Sequence, residues 1–322
     1  MGEPVHLQTP GRGDSHQPGG SGGHSHGVSA GANKRYLTVA LALIVGFMVV
    51  EVIVAITSGS VALLADAGHM LSDAGAIGVA IWAISLAGRP ARGSWTFGFK
   101  RAEILSAAGN GITLLVVSAL ITFESIQRLL NPPPVAGLAM LLVALLGIAV
   151  NVLASWVLAK ANRSSLNVEG AFKHIVTDLY AFIATVIAGV VILATGFRRA
   201  DAIASLIVVA LMLRAAWGLL RDSGRILLEA APERVDLADL RGHLLETPHV
   251  TDVHDLHAWT VTSDLPALSA HVVVTNDCFT SGHCPQILDQ LQTCLAGHFD
   301  VEHSTFQLEP AGHAAHETGA HA

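Results

Sequence analysis

The chain has 322 residues, of which 52% are hydrophobic and only 13% charged, with a formal net charge of −7 and a mean hydropathy of +0.54. Such a composition excludes an ordinary soluble domain of this size and makes an integral membrane protein the first expectation.

Residues 1–33 are rich in Gly, Ser, Pro and His and show no hydrophobic periodicity, as in GGSGGHSHG. They read as a disordered tail whose histidines (His6, His16, His24, His26) are either loose metal ligands or a solvated linker. Apolar runs of about 20 residues or more, the length that crosses a bilayer, follow near 37–57, 61–87, 104–127, 135–159, 170–196 and 200–220. The long polar lead sets the first run apart from a cleaved signal peptide. The prolines of NPPPVAG (131–137) separate the third and fourth spans. Lys34, Arg35, Arg89, Arg92, Lys100, Arg101, Lys160, Arg163, Arg221 and Arg225 fall at span ends on one side, against Arg128, Arg198 and Arg199 on the other. The positive-inside bias then places both termini in the cytoplasm, and the Ala/Gly-rich usage and short loops make a bacterial inner membrane the expected location.

Past residue 221 the composition changes. LADLRGHLLETPHVTDVHDLHAWTVTSDLPALSAHVVV reads as an amphipathic helix and two strands, HCPQILDQLQTCLAGHF as a second helix and HSTFQLEP as an edge strand. The expectation is a six-helix transmembrane bundle over 34–221 with a C-terminal cytoplasmic α+β domain of α-β-β-α-β order over 222–310, and a His-containing tail over 311–322 that holds His313, His316 and His321. From Gly242 onward there is no Lys or Arg, but ten acidic residues and eleven histidines, which excludes nucleic acid as a partner and favours cations. Cys278, Cys284 and Cys294, an odd number on the cytoplasmic side, read as free thiols or metal ligands.

The chemistry lies inside the spans. In LLADAGHMLSDAG, Asp66, His69 and Asp73 share one helical face at i, i+3 and i+7. EGAFKHIVTDLYAF repeats the pair as His174 and Asp178. Each such group costs roughly 2.5–3.5 kcal/mol at the centre of a spanning helix, so it has a partner, an ion or water to face. Two His-x-x-x-Asp pairs on separate helices supply two imidazoles and two carboxylates, a set suited to tetrahedral Zn²⁺. Private hydrogen bonds within each helix are the competing explanation, and duplication of the pair weighs against it. Asp66 could orient His69 from behind or make a packing hydrogen bond. Asn110 and Asn151 are expected to serve interhelical contacts, and Glu51 and Asp201 to be structural.

The run SGSVALLADAGHMLSDAGA and the segment HIVTDLYA resemble the second-span and fifth-span signatures of the cation diffusion facilitator family. The resemblance spans about 34–310 and implies a ferredoxin-like cytoplasmic domain, a homodimer, and exchange of metal for protons at His69, Asp73, His174 and Asp178. His at position 69 is the pattern of zinc and cadmium carriers. The resemblance further matches His254, His271 and Glu309 to a regulatory zinc site at the dimer interface. His257, His303, Cys278, His283 and Cys284 are additional candidates for that site. It also pairs Arg101 with Glu229 as an interlock between the membrane and cytoplasmic parts. The loop between spans two and three holds no histidine, so no metal is expected there. Co²⁺ or Ni²⁺ as cargo, and a membrane-anchored metal sensor, are the alternatives. An intramembrane metallohydrolase lacks a His-Glu-x-x-His helix, so the expectation is a carrier of Zn²⁺ and Cd²⁺ against H⁺, in contact with membrane lipid, and not an enzyme.

Overall fold

The computed structural model describes residues 30–58, 61–131, 138–263, 265–299, 301 and 303–313. Most of the N-terminal tail with its histidines, together with His316 and His321, lies outside the described residues. Six long helices come first: α1 (Ala30–Ser58), α2 (Val61–Ala87), α3 (Ala102–Leu130), α4 (Leu138–Leu158), α5 (Leu166–Thr195) and α6 (Ala200–Leu227). Five of them carry stretches long and apolar enough to cross a membrane, and the described apolar stretch of α2 is Asp73–Ala87. The large apolar side chains are distributed as a bilayer demands. Trp82, Phe123, Leu193 and Trp217 point outward and are exposed, where lipid tails replace water as their solvent.

Two inner seams hold the bundle. One joins α1, α2, α4 and α5 through Leu37, Phe47, Ile77, Leu158 and Ile175. The other joins α3 and α6 through Leu114, Val208, Met212 and Leu219. Small residues set how closely helices approach: a Cβ on Gly147 of α4 would sit 2.7 Å from the Phe182 ring of α5. Gly147→Val is therefore expected to cost about 1–3 kcal/mol by overpacking. Gly109→Ala, with nothing within 4 Å of the added Cβ, is expected to show no loss. Thermal unfolding of the two purified variants checks this contrast.

The sequence places the end of the sixth span near residue 220, but α6 runs on to Leu227. Its last turns are more polar (Arg221, Asp222, Arg225) and carry the helix out to meet the cytoplasmic domain, so the helix outlasts the apolar run that marked the span. The domain itself is α7 (Leu237–Leu245), β1 (Val250–Thr262), β2 (Leu265–Val274), a short α8 (Asp277–Ser281) that the sequence reading lacked, α9 (Cys284–His298) and β3 (His303–Pro310). Asp236 caps α7, accepting from the backbone N–H groups of Ala238 at 2.8 Å and Asp239 at 3.3 Å. Strand order is β1-β2-β3, antiparallel between β1 and β2 and parallel between β2 and β3, with α7 and α9 over a core of Leu240, Leu244, Val253, Leu268, Leu291 and Leu295. This is the expected α-β-β-α-β order with one helical turn added.

Candidate metal centres and the family they define

The bundle brings α2 and α5 together at Asp73, His174 and Asp178. His174 Nε2 lies 2.7 Å from Asp73 Oδ1 and 3.8 Å from Asp178 Oδ2. All three residues offer ligand atoms within 4.8 Å of one another. The imidazole is buried, with a side-chain exposure of 4%, while Asp73 and Asp178 retain 18% and 25%. α2 thus supplies a carboxylate, and α5 an imidazole and a carboxylate one turn apart. His69 stands one turn before Asp73 on α2, and Asp66 one turn before that. The side chains of His69 and Asp66 lie outside the described residues.

A hydrogen bond the sequence reading did not single out fixes the relative height of the two helices. Asn167 of α5, buried, donates its Nδ2–H to the backbone oxygen of Ala80 on α2 at 2.9 Å. Ala80 is seven residues past Asp73 and Asn167 seven before His174, so the bond lies two turns along from the cluster on each helix. A polar side chain in a spanning helix signals such a bond, but its partner is a backbone atom of a distant helix and cannot be read from spacing.

In the cytoplasmic domain a second cluster forms across all three strands. His254 on β1 stands directly opposite His271 on β2. Buried Glu309 on β3 lies 3.3 Å from His254 Nε2 by Oε2 and 2.7 Å from His271 Nδ1 by Oε1. Two imidazoles and a carboxylate within 4.8 Å make a donor set that fits Zn²⁺. Asp255 joins the periphery of this group: its φ of +48° marks an irregularity in β1, and its carboxylate reaches 3.0 Å from His257 Nε2 and 3.9 Å from His271 Nε2. Strict alternation along the strand would send Asp255 to the opposite face from His254, which is why the sequence did not indicate it.

The other sequence candidates go elsewhere. His303 pairs with Ala267 at the far end of β3 and packs edge-on against Phe97 with ring centroids 5.8 Å apart. Cys278 is fully buried in the apolar core, with Thr275 Oγ1 3.2 Å from its sulfur. His283 stacks on His249 with ring centroids 6.0 Å apart, and Cys284 packs at the edge of the same core at the start of α9. A loop rich in ligand types looked like a site in the sequence. The structure uses its cysteine for packing and directs its histidine to another histidine.

Arg101, just before α3, meets Glu229 beyond α6 at 2.8 Å. Glu229 adopts a φ of +58°, a left-handed conformation that glycine would take at less cost after a helix end, so its carboxylate is retained against a local backbone penalty. The pair is 38% and 61% exposed, which limits its worth to under about 1 kcal/mol. Arg101→Ala is accordingly expected to leave the melting temperature nearly unchanged at physiological salt. A second tie between the two parts is the Leu166 backbone N–H donating to Ser263 Oγ at 3.0 Å.

A multi-pass helical membrane protein carrying an α+β domain, with one metal-ligand cluster between spanning helices and another on the domain's sheet, is the class these features define. A model described as "Cation efflux transmembrane domain" matches residues 37–228, and one described as "Cation efflux protein, cytoplasmic domain" matches residues 232–311. The chain belongs to the cation efflux family. Among its relatives, a "Cadmium, cobalt and zinc/H(+)-K(+) antiporter" of Bacillus velezensis is 39% identical over 293 residues, covering 90% of this chain and 93% of that protein. The "Zinc transporter ZitB" of Escherichia coli is 40% identical over 291 residues, covering 89% of this chain and 91% of that protein. A solved structure, the metal-bound C-terminal domain of the CzcD transporter of Cupriavidus metallidurans, is 39% identical, covers 23% of this chain and 99% of that domain, and gives a TM-score of 0.21.

Proposed function

We propose that this protein exports Zn²⁺, with Cd²⁺ as a second cargo, from the cytoplasm in exchange for protons. His69, Asp73, His174 and Asp178 would form the transport site. The observation that carries the reading is the convergence of Asp73, His174 and Asp178 inside the bundle, where ionisable groups are costly without a partner or an ion. The names of relatives that span nine-tenths of the chain support the cargo. Binding a divalent cation requires imidazoles without their second proton and ionised carboxylates, so metal and protons compete for the same atoms. Competition becomes exchange when the site faces the two sides of the membrane in turn, loading metal on the neutral side and protons on the acidic side.

In this reading the cytoplasmic cluster of His254, His271 and Glu309 binds regulatory Zn²⁺, with two copies of the chain forming a dimer. Metal held more tightly in the transport-ready arrangement would shift the population towards it. The Arg101–Glu229 pair would keep the two parts in register. Both termini would lie in the cytoplasm of a cell bounded by an inner membrane, as the distribution of Lys and Arg favours.

The test is Zn²⁺ uptake into proteoliposomes that enclose a fluorescent zinc indicator and an acidic lumen. Uptake that collapses when the pH gradient is dissipated is the expected result. No flux from a folded protein whose cytoplasmic domain still binds zinc would make it a metal sensor instead.

A further inference from the structure

A cavity with about 10 Å³ of room, the space of a single water, lies between α2, α3 and α5. Ala80, Ser106, Asn110, Asn167 and His174 are among its walls. Two polar atoms of these walls are shut off from solvent and have no hydrogen-bond partner among the described residues: His174 Nδ1 and Asn110 Oδ1. Their deficits are opposite in kind. The amide oxygen can only accept, and the ring nitrogen becomes a donor when it carries the proton.

The opposite edge of the His174 ring decides which state Nδ1 takes. Nε2 faces Asp73 at 2.7 Å and Asp178 at 3.8 Å, so Nε2 is the atom that would hold a cation. An imidazole that gives the Nε2 lone pair to a metal must keep its proton on Nδ1, and a buried N–H needs an acceptor. We infer that an ordered water in this cavity joins His174 Nδ1–H to Asn110 Oδ1, making Asn110 of α3 a positioning residue for the site between α2 and α5. The water accepts from Nδ1–H and donates to Oδ1, with the Ser106 hydroxyl on the same cavity wall. Asn110 thereby holds the histidine in the metal-ready tautomer and fixes its ring orientation, as an outer partner does for a metal-bound imidazole.

Local packing supports this placement. A Cβ on Gly170 of α5 would lie 3.3 Å from Asn110 Nδ2, so the glycine lets the amide rest close against the helix that carries His174. An amide on a spanning helix is costly unless its polar atoms are satisfied, and the shared cavity supplies the means.

The inference rests on His174 being a transport ligand, and the experiment separates the two claims. Zn²⁺ uptake is measured in proteoliposomes for the wild type, Asn110→Leu, Asn110→Ser and Asp73→Ala, each first shown to melt like the wild type. Loss of an outer partner is expected to raise KM for Zn²⁺ in Asn110→Leu about 10–100-fold, with a smaller effect on kcat. Asn110→Ser, whose hydroxyl can accept from the water, is expected to recover most of the affinity. An unchanged KM in Asn110→Leu, or a fall in kcat alone that Ser does not rescue, would overturn the inference while leaving the site reading intact. Full uptake by Asp73→Ala would sink the site reading and this inference with it.

Discussion

Asp178→Asn and Asp73→Ala are each expected to reduce Zn²⁺ flux by at least about 100-fold while leaving the protein folded. The size follows from the number of ligands. A site for a tetrahedral ion has four donors, and the three that are placed here already come from two helices. Asp178→Asn keeps the shape of the side chain and removes the anion, so its effect reads charge and not packing. Losing one of two carboxylates forfeits a charge-assisted interaction in surroundings where water cannot compensate fully, and each 1.4 kcal/mol is a factor of about ten. The variants are compared by flux at saturating and limiting zinc, with zinc content of the purified protein as a second readout. Near wild-type flux from Asp178→Asn would remove that residue from the site, and from Asp73→Ala would sink the site reading.

Acidifying the metal-loading face from pH 6.5 to 5.5 is expected to lower apparent Zn²⁺ affinity, by at most about 100-fold. Each proton that the metal must displace contributes a factor of up to ten per pH unit while its group is protonated. The two imidazoles of the proposed donor set would give a limiting slope of about two log units per pH unit. The sign is fixed by competition: lower pH favours the protonated ligands and so opposes the metal. Direct titration of purified protein with Zn²⁺ across this range measures the slope. A flat profile would exclude histidine from the ligand set and with it the proposed basis of exchange.

The legible part of this protein was the part written in local spacing. His174 and Asp178 stand four apart, and Asp73 and His69 repeat the interval, so both pairs could be read from the chain before any helix was placed. The strand positions of His254, His271 and Glu309 followed from alternation and from resemblance. What escaped were relations between distant backbones. Asn167 serves an oxygen of α2, Asn110 shares a cavity wall with His174, and Asp255 reaches its neighbours only because β1 departs from regular pairing. Cys278 misled because its type suggests metal binding, whereas its burial among Leu240, Val272 and Leu291 makes it a core residue. The outlying helix end at Leu227 escaped for a different reason: hydropathy locates the membrane boundary, and a helix need not stop there.

Asp73 and His174, 2.7 Å apart, are separated by 101 positions in the chain. Synthesis at about 5–20 residues per second puts roughly 5–20 s between the emergence of the two helices. For that interval α2 lies in the lipid with its carboxylates and no α5 to face, at a cost of roughly 2.5–3.5 kcal/mol for each ionised group. The outward apolar residues of α2, Val79 and Trp82 among them, and its packing against α1 must hold it there. The arrival of α5 therefore completes the insertion of α2 as well as the site. A chain arrested between the two helices would leave Asp73 in the bilayer without His174.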